Sequence, residues 1–520
     1  MNIAASDLSE VDIKADIVVL PLFEAPQPEQ YADVDDKIGG LISRVHTSKE
    51  FTGKENQLTL LHVQHTGAER ILLVGMGKGP ELTSERLRQA GGKAFSYIKK
   101  LGLRDIAVSS RSIARDLRNG YEARYENVMY FIEGGILATY RFEKYKKAEN
   151  GGDIRRIAVL GNGISLPLKR LRIVASAVYL ARDLVNTPSN DLTPGQMSES
   201  ALNVAGRNVK VRVLNEKDIK REAMEAYLAV ARGSGSLPRF IIMEYKGGRG
   251  APVVLVGKSI TFDSGGISIK AAEGMEKMKY DMAGGAAVLS VIKAISEMAV
   301  PLNVTGILPA AENMPGSVAF KPGDVVNSIG GKTIEIISTD AEGRLTLADA
   351  IGYAIKYYKP RAIVDIATLT GACSLALGNE AVAMMGTDIM LMELIKEASL
   401  ETGERVWQMP LYDEYRDYLK SDIADIKNAG GRNGSLVTAA SFLKEFAGET
   451  PWVHLDIAGT AWNEKEKPYI TKGSTGVGVR LLIEFLDRLA GLRAPMDLRQ
   501  KSDDFSAMAC KGTAGQPRGK

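Results

Sequence analysis

Short apolar runs alternate along this chain with longer amphipathic stretches, and the alternation predicts its elements. Ile17–Leu22 (IVVLPL), Ile71–Gly75 (ILLVG) and Ile157–Gly161 (IAVLG) are too short for buried helices and read as buried strands. Between them Thr83–Leu101 has helical character with Thr83 or Ser84 as N-cap, although Gly91-Gly92 weakens its middle. Leu168–Leu184 is a further helical stretch free of Gly and Pro. Strands separated by helices imply βαβ units and a mostly parallel sheet.

The segment Asn186–Pro194 (NTPSNDLTP) is dense in turn formers and marks a border. Beyond it the pattern is again α/β. Strands are expected at Val253–Val256, Val304–Leu308, Thr333–Ile337, Ala362–Ile366 and Val453–Ile457. Helices are expected at Ala283–Met298, Arg344–Tyr358 and Thr438–Phe446. In Arg344–Tyr358 the apolar positions Leu347, Ile351, Ala354, Ile355 and Tyr358 recur at helical spacing. The expected organisation is an N-terminal α/β domain over 1–165, a linker helix and turn over 166–194, and a larger α/β domain over 195–494. A polar, aperiodic stretch over 495–520 is expected to be a disordered tail.

Composition narrows the chemistry. Lys plus Arg is 66 against 63 Asp plus Glu, a net charge of +3, and 45% of the 520 residues are hydrophobic. That balance describes an ordinary globular protein and gives no support for a polybasic nucleic-acid binder. Two cysteines, Cys373 and Cys510, build neither a disulfide framework nor a Cys₄ zinc site, which points to an intracellular, cytoplasmic setting. The four histidines (His46, His62, His65, His454) show no H-x-x-x-H spacing, so any metal site must rest mainly on oxygen ligands. No run approaches the ~20 apolar residues of a membrane span. The acidic start (Asp7, Glu10, Asp12) does not read as a secretory signal.

Three segments carry candidate chemistry. In Val256–Lys270 a strand ends at Gly257, and a loop then presents Lys258, Asp263 and Lys270. Ligands of open α/β sheets bind beyond the carboxyl ends of strands. Gly257-Lys258-Ser259 is not a phosphate-binding loop, because position 252 is proline where that motif needs glycine. In Met278–Ala287, Asp281 precedes a helix and reads either as its N-cap or as a ligand. In Thr333–Leu345, Asp340 and Glu342 share a strand-to-helix turn, open to capping, to an ion pair with Arg344, or to function. Asp263, Asp281, Asp340 and Glu342 together would repel one another strongly unless cations neutralise them. Gly75–Gly79 reads as a tight turn, His454 as a satisfied core histidine and Cys373 as packing.

These segments resemble the leucyl aminopeptidase (cytosol aminopeptidase, M17) family. The likeness lies in VGKSITFDSGGISIK (Val256–Lys270), MKYDMAGGAA (Met278–Ala287) and STDAEGRL (Ser338–Leu345). DIATLTGA (Asp365–Ala372) and HLDIAGTAW (His454–Trp462) support it. The resemblance implies a macrodomain-like N-terminal α/β domain, joined by a linker helix to a larger catalytic α/β domain with a central mixed sheet. It implies two divalent metal ions per subunit, Mn²⁺ foremost, with Zn²⁺ or Mg²⁺ as alternatives. Lys258, Asp263, Asp281 and Glu342 match the ligands of one, and Asp263, Asp340 and Glu342 those of the other. Lys270 and Arg344 match the two catalytic residues that are not ligands, Arg344 with a bicarbonate, and Met278 a wall of the substrate pocket.

The activity so implied is release of N-terminal residues, Leu and other apolar ones preferred, from peptides by a metal-bridged water. A homohexamer is implied as the assembly. Ser338 and Ser259 depart from the usual Asn and Gly, at positions that match no ligand. The alternative is an additional DNA-binding, accessory role of the hexamer. It would need a basic stripe, and Lys144/Lys146/Lys147 and Lys169/Arg170/Arg172 are only short clusters. Competent residue types at all seven ligand and catalytic positions argue against a pseudo-enzyme.

Overall fold

The computed structural model describes residues 1–24, 26, 30–64, 66–114, 125–146, 153–161 and 165–491. His65, Lys147, Cys510 and the expected tail over 495–520 lie outside the described residues.

The first sheet has six strands: β1 (Asn2–Ser6), β2 (Ile17–Leu22), β3 (Leu58–His62), β4 (Arg70–Gly75), β5 (Asp105–Ser109) and β6 (Arg156–Leu160). Their order is β1-β6-β5-β2-β4-β3, with every pair parallel except β3–β4. All six residues of β2 are buried, as a central parallel strand requires.

Helix Ser84–Lys100 begins where expected, with the Thr83 hydroxyl accepting from Arg86 N. Its two glycines do not break it. A Cβ on Gly91 would lie 1.8 Å from the Phe131 carbonyl of helix Tyr125–Ala138, so the glycine lets two helices touch backbone to backbone. Gly91→Ala gains about 1 kcal/mol of helix propensity but loses roughly 1–3 kcal/mol to overpacking. A net loss in urea unfolding is the expected outcome, and a gain would contradict this packing.

Helix Ser165–Asn186, 22 residues long, carries the chain to the second domain. A buried polar network ties the two domains together: Arg480 of the second meets Glu133 of the first at 3.6 Å, and Arg88 of the first, paired with Glu133 at 2.7 Å, donates to the Glu401 carbonyl of the second at 3.0 Å.

The second domain is built on a mixed sheet. Its strands begin with β7 (Val209–Leu214), β8 (Arg239–Lys246), β9 (Val253–Gly257), β10 (Ser259–Asp263) and β11 (Asn303–Asn313). After the short strands β12 (Val325–Asn327) and β13 (Thr333–Glu335) come β14 (Ala362–Ala367), β15 (Val382–Gly386), β16 (Val406–Gln408), β17 (Ile426–Lys427) and β18 (Trp452–Asp456). The order is β16-β15-β18-β14-β9-β11-β8-β7, with β10 added on β11. The centre, β18-β14-β9-β11, is parallel; β15 joins β18, and β8 joins β11 and β7, antiparallel, while β16 lies parallel to β15. β12, β13 and β17 form a separate small sheet.

Two expectations are corrected here. The segment after Gly257 is not a loop: β10 begins at Ser259 and pairs with β11, which runs on to Asn313 rather than stopping at Leu308. The strand expected over Thr333–Ile337 ends at Glu335, because the Asn428 side chain takes the Ile337 and Ser338 N–H groups at 2.8 and 3.3 Å.

Candidate metal centre

The parallel strands all end on one rim, and the chemistry sits there. Lys258 follows β9, Asp263 closes β10, Asn313 closes β11, Thr368 follows β14 and Asp456 closes β18. Two helices aim their N-termini at the same rim: Ala283–Met298, preceded by Asp281, and Gly343–Tyr358, preceded by Glu342. Carboxylates are favoured beside such helix ends.

The three acidic segments meet through two lysines. Lys258 Nζ lies 2.8 Å from Asp281 Oδ2, 2.8 Å from Glu342 Oε1 and 2.9 Å from the Thr368 carbonyl. Lys270 Nζ lies 2.8 Å from Asp263 Oδ2 and pairs with Asp340 Oδ1. Asp263, Asp340 and Glu342 each offer an oxygen within 4.8 Å of the others. The helix after Glu342 starts with glycine for a steric reason. A Cβ on Gly343 would stand 2.7 Å from Lys258 Nζ and displace the amine.

Capping explains none of these acids. Asp281 is not an N-cap; that place falls to Met282, with no side-chain cap bond. The Asp281 carboxylate instead accepts from the Thr368 hydroxyl at 2.6 Å and faces Lys258, because an ammonium in a buried site attracts it more strongly than a helix end. Glu342 makes no side-chain cap bond either. Arg344 forms no ion pair with Asp340 or Glu342 among the described residues; its Nη1 donates to the Asn428 carbonyl at 2.8 Å. Met278 is half-buried on the 3₁₀ turn Met275–Tyr280, which leads into Asp281.

Burial dominates the electrostatics. It raises the carboxyl groups of Asp281 and Asp340, and together with Glu342 it pushes Asp263 up to about 6. For Glu342 burial acts in the same upward sense, but Lys258 and Lys270 outweigh it and hold the group below its ordinary value. Burial would lower both lysines, yet the surrounding carboxylates outweigh it and hold them as ammonium ions above the usual range. Burial brings Arg344 down to about 10.

These residues fit a pair of divalent cations. Four carboxylates, all but Asp340 buried, face two ammonium groups, an excess of negative charge. Glu342 Oε2 is buried and, among the described residues, accepts no hydrogen bond, which is costly for a charged atom unless a cation faces it. An oxygen-rich donor set suits hard to borderline divalent ions, and Lys258 would join it once nearby cations lower its pKa and free the amine.

Several supporting residues escape a sequence reading. Asn313 donates to Asp263 Oδ1 at 2.8 Å and to the Thr339 carbonyl at 3.0 Å, joining two of the acidic segments. Asn428 cradles the Asp340–Glu342 turn, its Nδ2 donating to the carbonyls of Ser338 (2.7 Å) and Ala341 (3.3 Å). Polar residues ending a strand or just beyond it, in Pro-Ala-Ala-Glu-Asn and Asp-Ile-Lys-Asn, were the available signal. His454 is fully buried, its Nδ1 2.5 Å from Asp365 Oδ1, and Cys373 is buried with its thiol pushed up to about 12 by burial.

Within the two basic clusters, one residue of each is paired with an acid. Lys144 pairs with Asp191 at 3.2 Å, and Arg170 with Asp487. Among the described residues, no helix is long and apolar enough to cross a membrane.

Known proteins match this chain over most of its length. Residues 179–483 match the catalytic domain of the cytosol aminopeptidase family, and residues 19–149 its N-terminal domain. A probable cytosol aminopeptidase of Geotalea uraniireducens is 47% identical over 88% of this chain and 93% of its own length. One from Cenarchaeum symbiosum is 42% identical over 84% of this chain and 89% of its own. Among solved structures, a tomato leucine aminopeptidase variant superposes with a TM-score of 0.84 at 33% identity, covering 94% of this chain and 96% of its own. The bottromycin maturation enzyme BotP, in complex with Mn, does so at 0.81 and 31%, covering 92% of this chain and all of its own.

Proposed function

Because this chain belongs to the cytosol aminopeptidase family and is a metal-dependent aminopeptidase, we propose that it removes N-terminal residues, Leu and other apolar ones foremost, with two divalent cations. The observation that carries this reading is the meeting of Asp263, Asp281, Asp340 and Glu342 around Lys258 and Lys270.

Lys258, Asp263, Asp281 and Glu342 would hold one cation, and Asp263, Asp340 and Glu342 the other. When bound, such a pair supplies Lewis acidity and a water acidified towards neutral pH. The chain's own groups do the rest. Lys270, half-buried between Asp263 and Asp340, presents a positive charge where the scissile carbonyl oxygen becomes an oxyanion. Arg344 has Nε buried without a hydrogen-bond partner among the described residues and is the residue to hold a bicarbonate, which supplies a proton acceptor when present. Met278, on the turn before Asp281, lines the pocket for the first side chain and favours apolar residues. Mn²⁺ is the foremost metal of this reading, with Zn²⁺ or Mg²⁺ as alternatives. A cytoplasmic homohexamer is its assembly, which sedimentation at working concentration tests.

The experiment is metal analysis paired with hydrolysis of Leu-, Cys-Gly- and Asp-amide substrates with added Mn²⁺ or Zn²⁺. Two ions per chain, with Leu cleaved faster than Asp, is the expected result. Full turnover after exhaustive chelation would end this proposal.

A further inference from the structure

Thr368 stands directly after β14, buried in the wall of the site. Its hydroxyl donates to Asp281 Oδ1 at 2.6 Å, and its carbonyl accepts from Lys258 Nζ at 2.9 Å. One residue thus touches both groups that, in the reading above, serve one cation and not the other. Thr370, two positions on, uses its side chain in an ordinary structural way, capping helix Gly371–Leu377 by accepting from Cys373 N. The Thr368 hydroxyl has no helix to cap.

We propose that Thr368 is a positioning residue for the Lys258–Asp281 cation, setting the occupancy of that metal position independently of its neighbour. The inference rests on the two-cation reading. The terminal torsion of an aspartate is soft, so its carboxylate turns freely unless one oxygen is tied. Threonine is a stiff tie, because branching at Cβ restricts its first torsion. With Oδ1 held by the hydroxyl, Oδ2 is left facing Lys258. Thr368→Val keeps the shape and deletes the tie, leaving Asp281 Oδ1 without its partner in a buried site. Losing such an outer partner costs about 10–100-fold in metal affinity.

The test titrates metal-stripped protein with Mn²⁺ by calorimetry and counts bound ions after dialysis. The parent is expected to bind two per chain. Thr368→Val, and Thr368→Ala as a second variant without the hydroxyl, should keep one ion at parental affinity and weaken the other roughly 10–100-fold. Thr368→Ser should restore it. The proposal is overturned if the variants bind both ions as the parent does, if both affinities fall together, or if serine fails to rescue. A parent that does not bind two ions refutes the two-cation reading itself, a separate outcome.

Discussion

Glu342→Gln is expected to abolish hydrolysis of Leu-p-nitroanilide, and the bound cations with it. Glu342 is 1% exposed, and its two oxygens are used differently. Oε1 meets Lys258 at 2.8 Å, while Oε2 accepts no hydrogen bond among the described residues. An amide at this position keeps the shape, removes one negative charge from the rim and turns one acceptor into a donor. If Glu342 serves both cations, neither position survives. The loss of activity should then exceed the roughly 10–100-fold that removing a mere outer partner costs. Asp263→Asn should behave alike, because Gly265 N at 2.9 Å and Asn313 Nδ2 at 2.8 Å already occupy its Oδ1 and leave Oδ2 towards the centre. Metal content, turnover and the melting of the metal-free proteins check this together. The fold should persist, since each change relieves repulsion among neighbouring carboxylates. Unchanged turnover in either variant would refute the assignment.

Lys270→Ala should give the second-largest effect with the opposite metal signature. Its ammonium touches Asp263 and Asp340 but is assigned to the substrate oxyanion rather than to a cation. Removing one preorganised oxyanion donor costs about 10²–10³ in turnover. Turnover is expected to fall by that factor while two ions per chain remain. Loss of metal with undiminished turnover of the metal-loaded fraction would show that Lys270 only maintains the ligand geometry.

Much of the fold was legible because it rests on period and punctuation. Helix Ala283–Met298 was readable to the residue, and of the two hydroxyls the sequence offers as cap before Glu85, Thr83 is the one that caps. What misled was partnership across long sequence separations. The end of β13 is set by Asn428, more than 90 residues away, so local propensity carried the expected strand too far. Gly91 looks like a weakness in its helix until the Phe131 carbonyl is set against it.

The site divides in the same way. The acids stood out as a cluster, but for Asp281 alone capping and ligation looked alike, since each places Asp before a helix. The Thr368 hydroxyl and the Lys258 ammonium separate the two readings, and both come from other strands. Asn313, Thr368 and Asn428 carry no signature of their own. They matter through the backbone and carboxylate atoms that the sheet brings to them.

The most direct measurement is anomalous diffraction at the manganese edge from crystals grown with Mn²⁺. The account predicts two peaks per chain, roughly 3.5–4 Å apart as in other paired-ion sites. Asp263 and Glu342 should lie between them, Lys258 and Asp281 on one and Asp340 on the other. A single peak, or peaks away from these side chains, would contradict it.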